Sequence, residues 1–338
     1  MVRPLDEEHG TFIPLPERIG DRSEANEIPN LLKQEADRLL EKGIEQHQIR
    51  DFEAALQTFA QALILYQKIR DTQGEGKTLS NIGLAYYALG SYGDAIANSY
   101  QALALSQQCL DRRMERQALA NLGNAYRHLE DYARAIEYKQ QGLAVSREIG
   151  DLRGEMAALN NLGMAYKAKG DCVTAIAYYQ ESLALAYKLN DQKVVGQVLR
   201  NLGNAHHALS DYSKTVQCYE ELLAIAQQLP DRQIEGQILK NLASACYILG
   251  DNGKAIAYHQ QRLAIAKELN DYRNQEQALE SLAVIYDALG DYSKAVLYYE
   301  QRLTVVKAIQ DRKLEQQTVE SLKFICYATG DFARASQY

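Results

Sequence analysis

Tryptophan is absent from this 338-residue sequence, and only Pro230 among its five prolines lies beyond residue 30. The five cysteines, Cys109, Cys172, Cys218, Cys246 and Cys326, are odd in number, widely separated and never in a C-x-x-C pair. That excludes a disulfide framework and a thiolate zinc site and leaves reduced, buried thiols. No apolar run approaches a membrane span, and the opening "MVRPLDEEHG" lacks the apolar core of a signal peptide. No segment alternates apolar and polar residues with period two, so no sheet is expected. Basic residues number 37 against 44 acidic ones, a formal charge of −7, which gives no general attraction for nucleic acid or an anionic membrane. The expectation is a soluble, cytoplasmic protein with no nucleic-acid partner and no membrane insertion. What the chain has in quantity is tyrosine, 23 residues.

Self-similarity is the dominant signal. "NIGLAYYALGSYGDAIA" from Asn81 recurs as "NLGNAYRHLEDYARAIE" from Asn121, "NLGMAYKAKGDCVTAIA" from Asn161 and "NLGNAHHALSDYSKTVQ" from Asn201. "NLASACYILGDNGKAIA" from Asn241 and "SLAVIYDALGDYSKAVL" from Ser281 continue the series at a period of 40 without insertion. Such a period marks a repeat architecture. The array runs over 31–338, as 31–70, 71–110, 111–150, 151–190, 191–230, 231–270 and 271–310 with a truncated 311–338. Each repeat reads as two helices. Asp71, Asp111, Asp151, Asp191, Asp231, Asp271 and Asp311 are N-caps for helix A. Gly150, Asn190 and Asn270 precede them as left-handed stops. Gly90, Gly170, Gly250, Gly290 and Gly330 mark the turn into helix B.

Residues 1–30 fall outside the period. They hold Pro4, Pro14, Pro16 and Pro29 and seven acids against three arginines, a composition that predicts a disordered or extended tail. At the other end, Lys323 stands where Gly or Ala is expected and helix B stops within "DFARASQY". The final helix A then reads as a solvating cap, or else the native chain continues.

In the second repeat, Ile82, Gly83, Tyr86, Gly90, Tyr92, Ala95 and Ala102, with Ser99 in place of the late aromatic, resemble the tetratricopeptide repeat (TPR) pattern. Leu122, Gly123, Tyr126, Tyr132, Ala135 and Tyr138 repeat it. The resemblance covers about 31–338 and is of the 40-residue variety, similar to Pins/LGN-type adaptors, bacterial arrays and kinesin light chain. It implies an all-α fold, a TPR α-solenoid in which antiparallel helix pairs form a right-handed superhelix. The small residues let helix B approach helix A, and Tyr fills the gaps between repeats.

The resemblance also implies that helices A line a concave face that binds an extended peptide of a partner protein. One column on that face is Asn81, Asn121, Asn161, Asn201 and Asn241, joined by Asn124 and Asn204; an amide offers a donor and an acceptor at each step. The competing role is a bond from Asn to the preceding repeat's backbone. Lys77, Gln117, Gln197 and Gln237 form a second, polar column. Arg127, Lys167, Arg200, His207 and Lys240 make the middle of the groove basic, suited to an acidic or carboxylate-bearing peptide; ordinary solvated charge is the alternative. Homo-oligomers could form through the array ends or the tail.

Catalysis finds no motif. Six histidines occur without an H-E-x-x-H set, and no G-x-S-x-G is present. His206 falls in a Tyr packing column. The stretch "QGEGKT" (73–78) resembles the end of a phosphate loop, but Asp71 stands where that loop needs its first Gly, and the register puts it in the first turn of a helix A. The expectation is a noncatalytic interaction scaffold or adaptor with no metal, no cofactor and no catalytic residue. Its alternative is a sensor or regulatory subunit whose acidic tail occupies the groove until displaced.

Overall fold

Every twentieth residue from Asp51 to Asp331 begins a helix, and all but one of these caps is aspartate. The computed structural model describes residues 21–228 and 231–338. Each capping carboxylate accepts from the amide three residues on, as Asp71 does from Gly74 at 2.9 Å and Asp171 from Thr174 at 3.0 Å. This satisfies amides that the helix itself leaves unpaired. Ser91 is the exception and makes no side-chain cap bond.

Ahead of fourteen of the fifteen caps the chain turns in one way; Pro230, before Asp231, lies outside the described residues. The residue before the cap takes positive φ, and amides close back onto the outgoing helix, for example Arg70 N–H to Gln67 O at 3.1 Å and Asp71 N–H to Tyr66 O at 2.9 Å. Glycine, Asn190 and Asn270 occupy this position as the sequence predicts. Arg50, Arg70, Leu110, Glu130, Ser210 and Gln310 adopt the same conformation, which the sequence alone does not flag. Leu110 is one such case, with φ 55° and 82% exposure; an L-residue in this region is strained, and here no packing compensates. Leu110→Gly is expected to raise stability by about 0.5 kcal/mol after the entropy of the added glycine is counted, read as a higher urea midpoint with unchanged slope.

The chain divides into two compact units, Met1–Leu129 and Glu130–Tyr338. The first contains α1 (Asp21–Gln48), α2 (Phe52–Ile69), α3 (Thr72–Ala88), α4 (Tyr92–Gln108) and α5 (Arg112–His128). The second begins α6 (Tyr132–Glu148), α7 (Leu152–Lys169), α8 (Cys172–Lys188), α9 (Gln192–Ala208) and α10 (Tyr212–Ala226). It continues α11 (Arg232–Ile248), α12 (Asn252–Glu268), α13 (Tyr272–Ala288) and α14 (Tyr292–Ala308), and ends in α15 (Arg312–Ala328) and the four-residue α16 (Phe332–Ala335). Within each unit consecutive helices pack as antiparallel pairs, the all-α TPR solenoid architecture. No strand occurs among the described residues.

The tail differs from expectation. Helix α1 starts at Asp21 and carries Pro29 within it, so residues 21–30 are helical, not disordered or extended. The rest of the tail, and with it the suggestion that it fills the groove, lies outside the described residues.

Close approach within a pair follows one rule. A Cβ on Gly43 would stand 2.4 Å from the Phe59 ring, on Gly163 2.5 Å from Tyr179, and on Gly203 2.9 Å from Tyr219. The facing rings are at most 2% exposed, and burying each contributes about 1.5–3 kcal/mol. The same level of helix B carries Ser99, Lys139, His259 and Tyr299, all buried. A second aromatic level stacks Tyr166 on Tyr178 at 5.4 Å and Tyr286 on Tyr298 at 5.5 Å. His206 and Cys246 take the first position of that pair in the two intervening repeats, and Cys218 faces His206's place on helix B. Burial pushes the Cys218 and Cys246 thiols up to about 11, which leaves little thiolate for chemistry near neutral pH.

Candidate functional site

Helix A residues four apart share a face, so the columns at Lys77 and Asn81 run together. In the first unit, Lys77, Asn81, Arg113, Arg116 and Gln117 line a cleft of about 440 Å³ between α3 and α5. In the second unit, Arg200, Asn204, Tyr219, Gln237 and Asn241 line one of about 270 Å³ between α9 and α11. The two clefts use equivalent register positions: Arg113 corresponds to Gln233, Gln117 to Gln237 and Ser80 to Arg200. Each cleft mixes amides with basic side chains.

The asparagine ladder has a structural share of its own. Asn121 donates to the Ser80 carbonyl of the preceding repeat at 3.0 Å, accepts from Gln117 at 3.1 Å, and is only 4% exposed. It is a strut between repeats, the competing role weighed from the sequence. Asn201 donates to Asn160 Oδ1 at 2.9 Å, again one repeat back. Asn241 donates to the Tyr219 hydroxyl at 3.2 Å, and that hydroxyl donates to Asn204 Oδ1 at 2.6 Å. Asn81 donates along its own helix to Lys77 O at 2.8 Å. Asn81, Asn124, Asn161, Asn201, Asn204 and Asn241 are half-buried.

The basic residues separate into two places. Lys77 and Arg200 are exposed at the clefts, and Lys240 is half-buried on α11. Arg127, Lys167 and His207 sit instead in the last turn of their helices A, beside the aromatic corner. There His128 stacks on Tyr92 at 5.0 Å, Arg127 Nη2 lies 2.8 Å from His128 Nε2, and His207 meets Tyr212 edge-on at 5.3 Å. Burial holds Lys167 below the usual lysine range.

Other sequence candidates fall into packing roles. "QGEGKT" lies in α3, where Gly74 is buried against Tyr66 and Thr78 donates to Gly74 O at 2.8 Å. No space for a phosphate exists at these buried glycines; a Cβ on Gly74 would already stand 2.2 Å from the Tyr66 ring. His206 is 6% exposed, and burial outweighs the nearby Asp211 carboxylate to hold its imidazole below the usual range. No group of three or more His, Cys, Asp or Glu among the described residues could hold a metal ion. None of their helices is long and apolar enough to cross a membrane.

Sequence reading missed the charges inside helix B. Arg262 and Arg302 are 3% and 2% exposed, and Lys139 is 3% exposed. The available signal was the register: Arg262 and Arg302 follow Ala62, Ala102, Gly142, Ser182 and Leu222 at one level.

Stacked helix pairs with clefts at a constant register define a helical-repeat protein. Models of the tetratricopeptide repeat match residues 77–112, 115–188, 194–268 and 278–313, and the chain belongs to that family. Among solved structures it is similar to BtubC (BKLC) from P. vanneervenii, 22% identical, covering 67% of this chain and 92% of that one, with a TM-score of 0.57. It is also similar to a signal transduction ATPase with numerous domains that carries a tetratricopeptide repeat sensor, from Pyrococcus horikoshii. That protein is 18% identical with a TM-score of 0.63; the match covers 92% of this chain but 46% of the longer protein. A Rap protein complexed with competence and sporulation factor is 17% identical, covering 84% of this chain and 76% of that one, with a TM-score of 0.55. These likenesses concern the fold. A comparison with curated proteins finds no match.

Proposed function

We propose that this protein is a noncatalytic interaction scaffold that binds an extended, acidic polypeptide segment along the clefts between its helices A. One observation carries the reading: a cleft between successive helices A recurs at the same place in each unit, with Gln117 and Gln237 as its matching amides and Asp111 and Asp231 as its matching acids. Each cleft carries cations, Lys77, Arg113 and Arg116 in the first and Arg200 in the second, although at different register positions. Recurring amides suit an extended backbone, whose donors and acceptors also recur, and the flanking cations suit carboxylate side chains. The fold is shared with a Rap protein seen in complex with a second molecule and with part of a signal transduction ATPase that carries a tetratricopeptide repeat sensor, which agrees with a binding role.

The double change Arg200→Glu with Asn204→Asp tests this. An aspartate at 204 still accepts from the Tyr219 hydroxyl, so the fold keeps that bond, while the cleft turns acidic. Against an arrayed library of short acidic and neutral peptides, the wild-type chain should select acidic ones. The double variant should bind them at least about tenfold more weakly with unchanged helical circular dichroism. Equal binding by the two proteins would overturn the reading.

A further inference from the structure

Arg302, on α14, has Nη2 2.6 Å from Glu276 Oε1 and 3.0 Å from Glu280 Oε1, and its Nε donates to the same Glu276 oxygen at 2.8 Å. Both carboxylates belong to α13, the other helix of its pair. One repeat earlier, Arg262 on α12 is equally buried, but the positions matching Glu276 and Glu280 are Gly236 and Lys240. The carboxylates that touch Arg302 thus have no counterpart here, although Asp271 and Glu276 attract Arg262 from further off. Among the described residues its partners are two neutral amide oxygens, Asn274 Oδ1 at 2.7 Å and Gln277 Oε1 at 2.8 Å, both reached by Nη2.

Where the Glu276 side chain would lie, this repeat has a cavity of about 280 Å³ with Arg262 and Gly236 in its wall. A Cβ built on Gly236 meets nothing closer than Ile265 Cγ2 at 3.7 Å. Of the other charges on the wall, Arg232 is taken up by Glu235 and Glu268, and Asp271 caps α13 through the Asn274 amide. Arg262 makes no contact with a carboxylate among the described residues, and the Asp271 and Glu276 charges act on it only from further off. A buried guanidinium that touches only neutral amides gains a charge-assisted bond from a carboxylate in contact with it. A dianion would add repulsion from Asp271. Gln233 and Gln237 border both this cavity and the α9–α11 cleft, so the two spaces are neighbours across α11.

We propose that this cavity receives a carboxylate from the bound polypeptide, an Asp or Glu side chain or a C-terminal carboxylate, in the place Glu276 holds one repeat further on. The proposal rests on the groove reading and adds an anchor to it.

The test installs the missing group. In the full chain, Gly236→Glu supplies the carboxylate internally, and Gly236→Met blocks the space without charge, as Met156 stands at the matching position of α7. Three short probes are titrated by calorimetry: a doubly capped peptide with one Glu, its Gln counterpart, and a peptide whose sole carboxylate is its C-terminus. Wild type is expected to bind the Glu probe, the C-terminal probe or both at least about tenfold more tightly than the Gln probe, and whichever binds names the source. Both Gly236 variants should abolish the difference. Equal binding of all three probes by wild type, or preference that survives both variants, would overturn the anchor. If the Arg200→Glu/Asn204→Asp protein loses the acidic library while the probes ignore both Gly236 variants, the groove stands and the anchor falls. If the probes respond to the Gly236 variants but that protein binds the library normally, the anchor stands and the groove reading falls.

Discussion

Replacing Glu276 with Gln is expected to destabilise the second unit by about 3 kcal/mol, because it strands the Arg302 guanidinium inside the protein. Arg302 and Glu276 side chains are 2% and 5% exposed, so water cannot replace the lost partner. Gln keeps the volume and can still accept from Nε, which confines the change to the lost charge. Glu280 also reaches Arg302, but its side chain is 48% exposed; its partial compensation keeps the effect at the low end of the range for a broken buried pair. Urea unfolding of the full chain measures this as a lower midpoint. Glu280→Gln is the internal comparison and should cost less than about 1 kcal/mol, as exposed pairs do. Equal losses from the two changes would mean that burial does not govern this pair.

Acid is expected to begin weakening the fold at pH values above the usual carboxylate range. His259 occupies the level of helix B where Tyr179, Tyr219 and Tyr299 pack, and it is 4% exposed with Nδ1 lacking a hydrogen-bond partner. Burial, with the Arg262 charge one turn away adding to it, pushes its pKa down to about 4. In the unfolded chain an imidazole takes up its proton near pH 6.5. Between those values the unfolded state binds a proton that the folded state does not. The stability is full above about pH 6.5, falls as the pH drops through that window, and is down by about 3 kcal/mol near pH 4. At pH 5 the loss is about 2 kcal/mol. His206 and His47, also held low by burial, act in the same direction. His259→Tyr restores the ring found at the neighbouring repeats, and Tyr299 already packs against an alanine position, Ala283, as the new ring would against Ala243. Its unfolding free energy should therefore differ less between pH 7.5 and pH 5 than that of wild type. An unchanged difference, followed by urea titration at both pH values, would remove His259 as the cause.

Much of the architecture was legible because repetition converts a weak local signal into a strong one. A single Asp is an ambiguous cap, but one at each of 71, 111, 151, 191, 231, 271 and 311 is not. The start of α1 was obscured because prolines and acids dominate the composition around Pro29, while a helix tolerates one proline when its other contacts hold. The candidate site was legible as columns and illegible as contacts. An amide has the same donors and acceptor whether it meets a ligand or a neighbouring repeat, so only the 3.0 Å approach of Asn121 to the Ser80 carbonyl separates the two. Arg262 and Arg302 do not stand out in the sequence, because what their charge meets depends on which residue the facing helix presents. That residue lies 26 positions away, Gly236 in one case and Glu276 in the other.

The turn before the caps has a consequence for how the chain finds its register. The same left-handed corner closes both the bend within a repeat and the bend between repeats, at 20-residue spacing, and an aspartate follows nearly every one. Backbone geometry at these corners therefore does not distinguish the first helix of a pair from the second. A half-repeat frameshift, in which each helix A pairs as though it were a helix B, would keep these corners. Interlocking shape opposes it, with Gly43, Gly163 and Gly203 acting as notches that accept Phe59, Tyr179 and Tyr219 as keys.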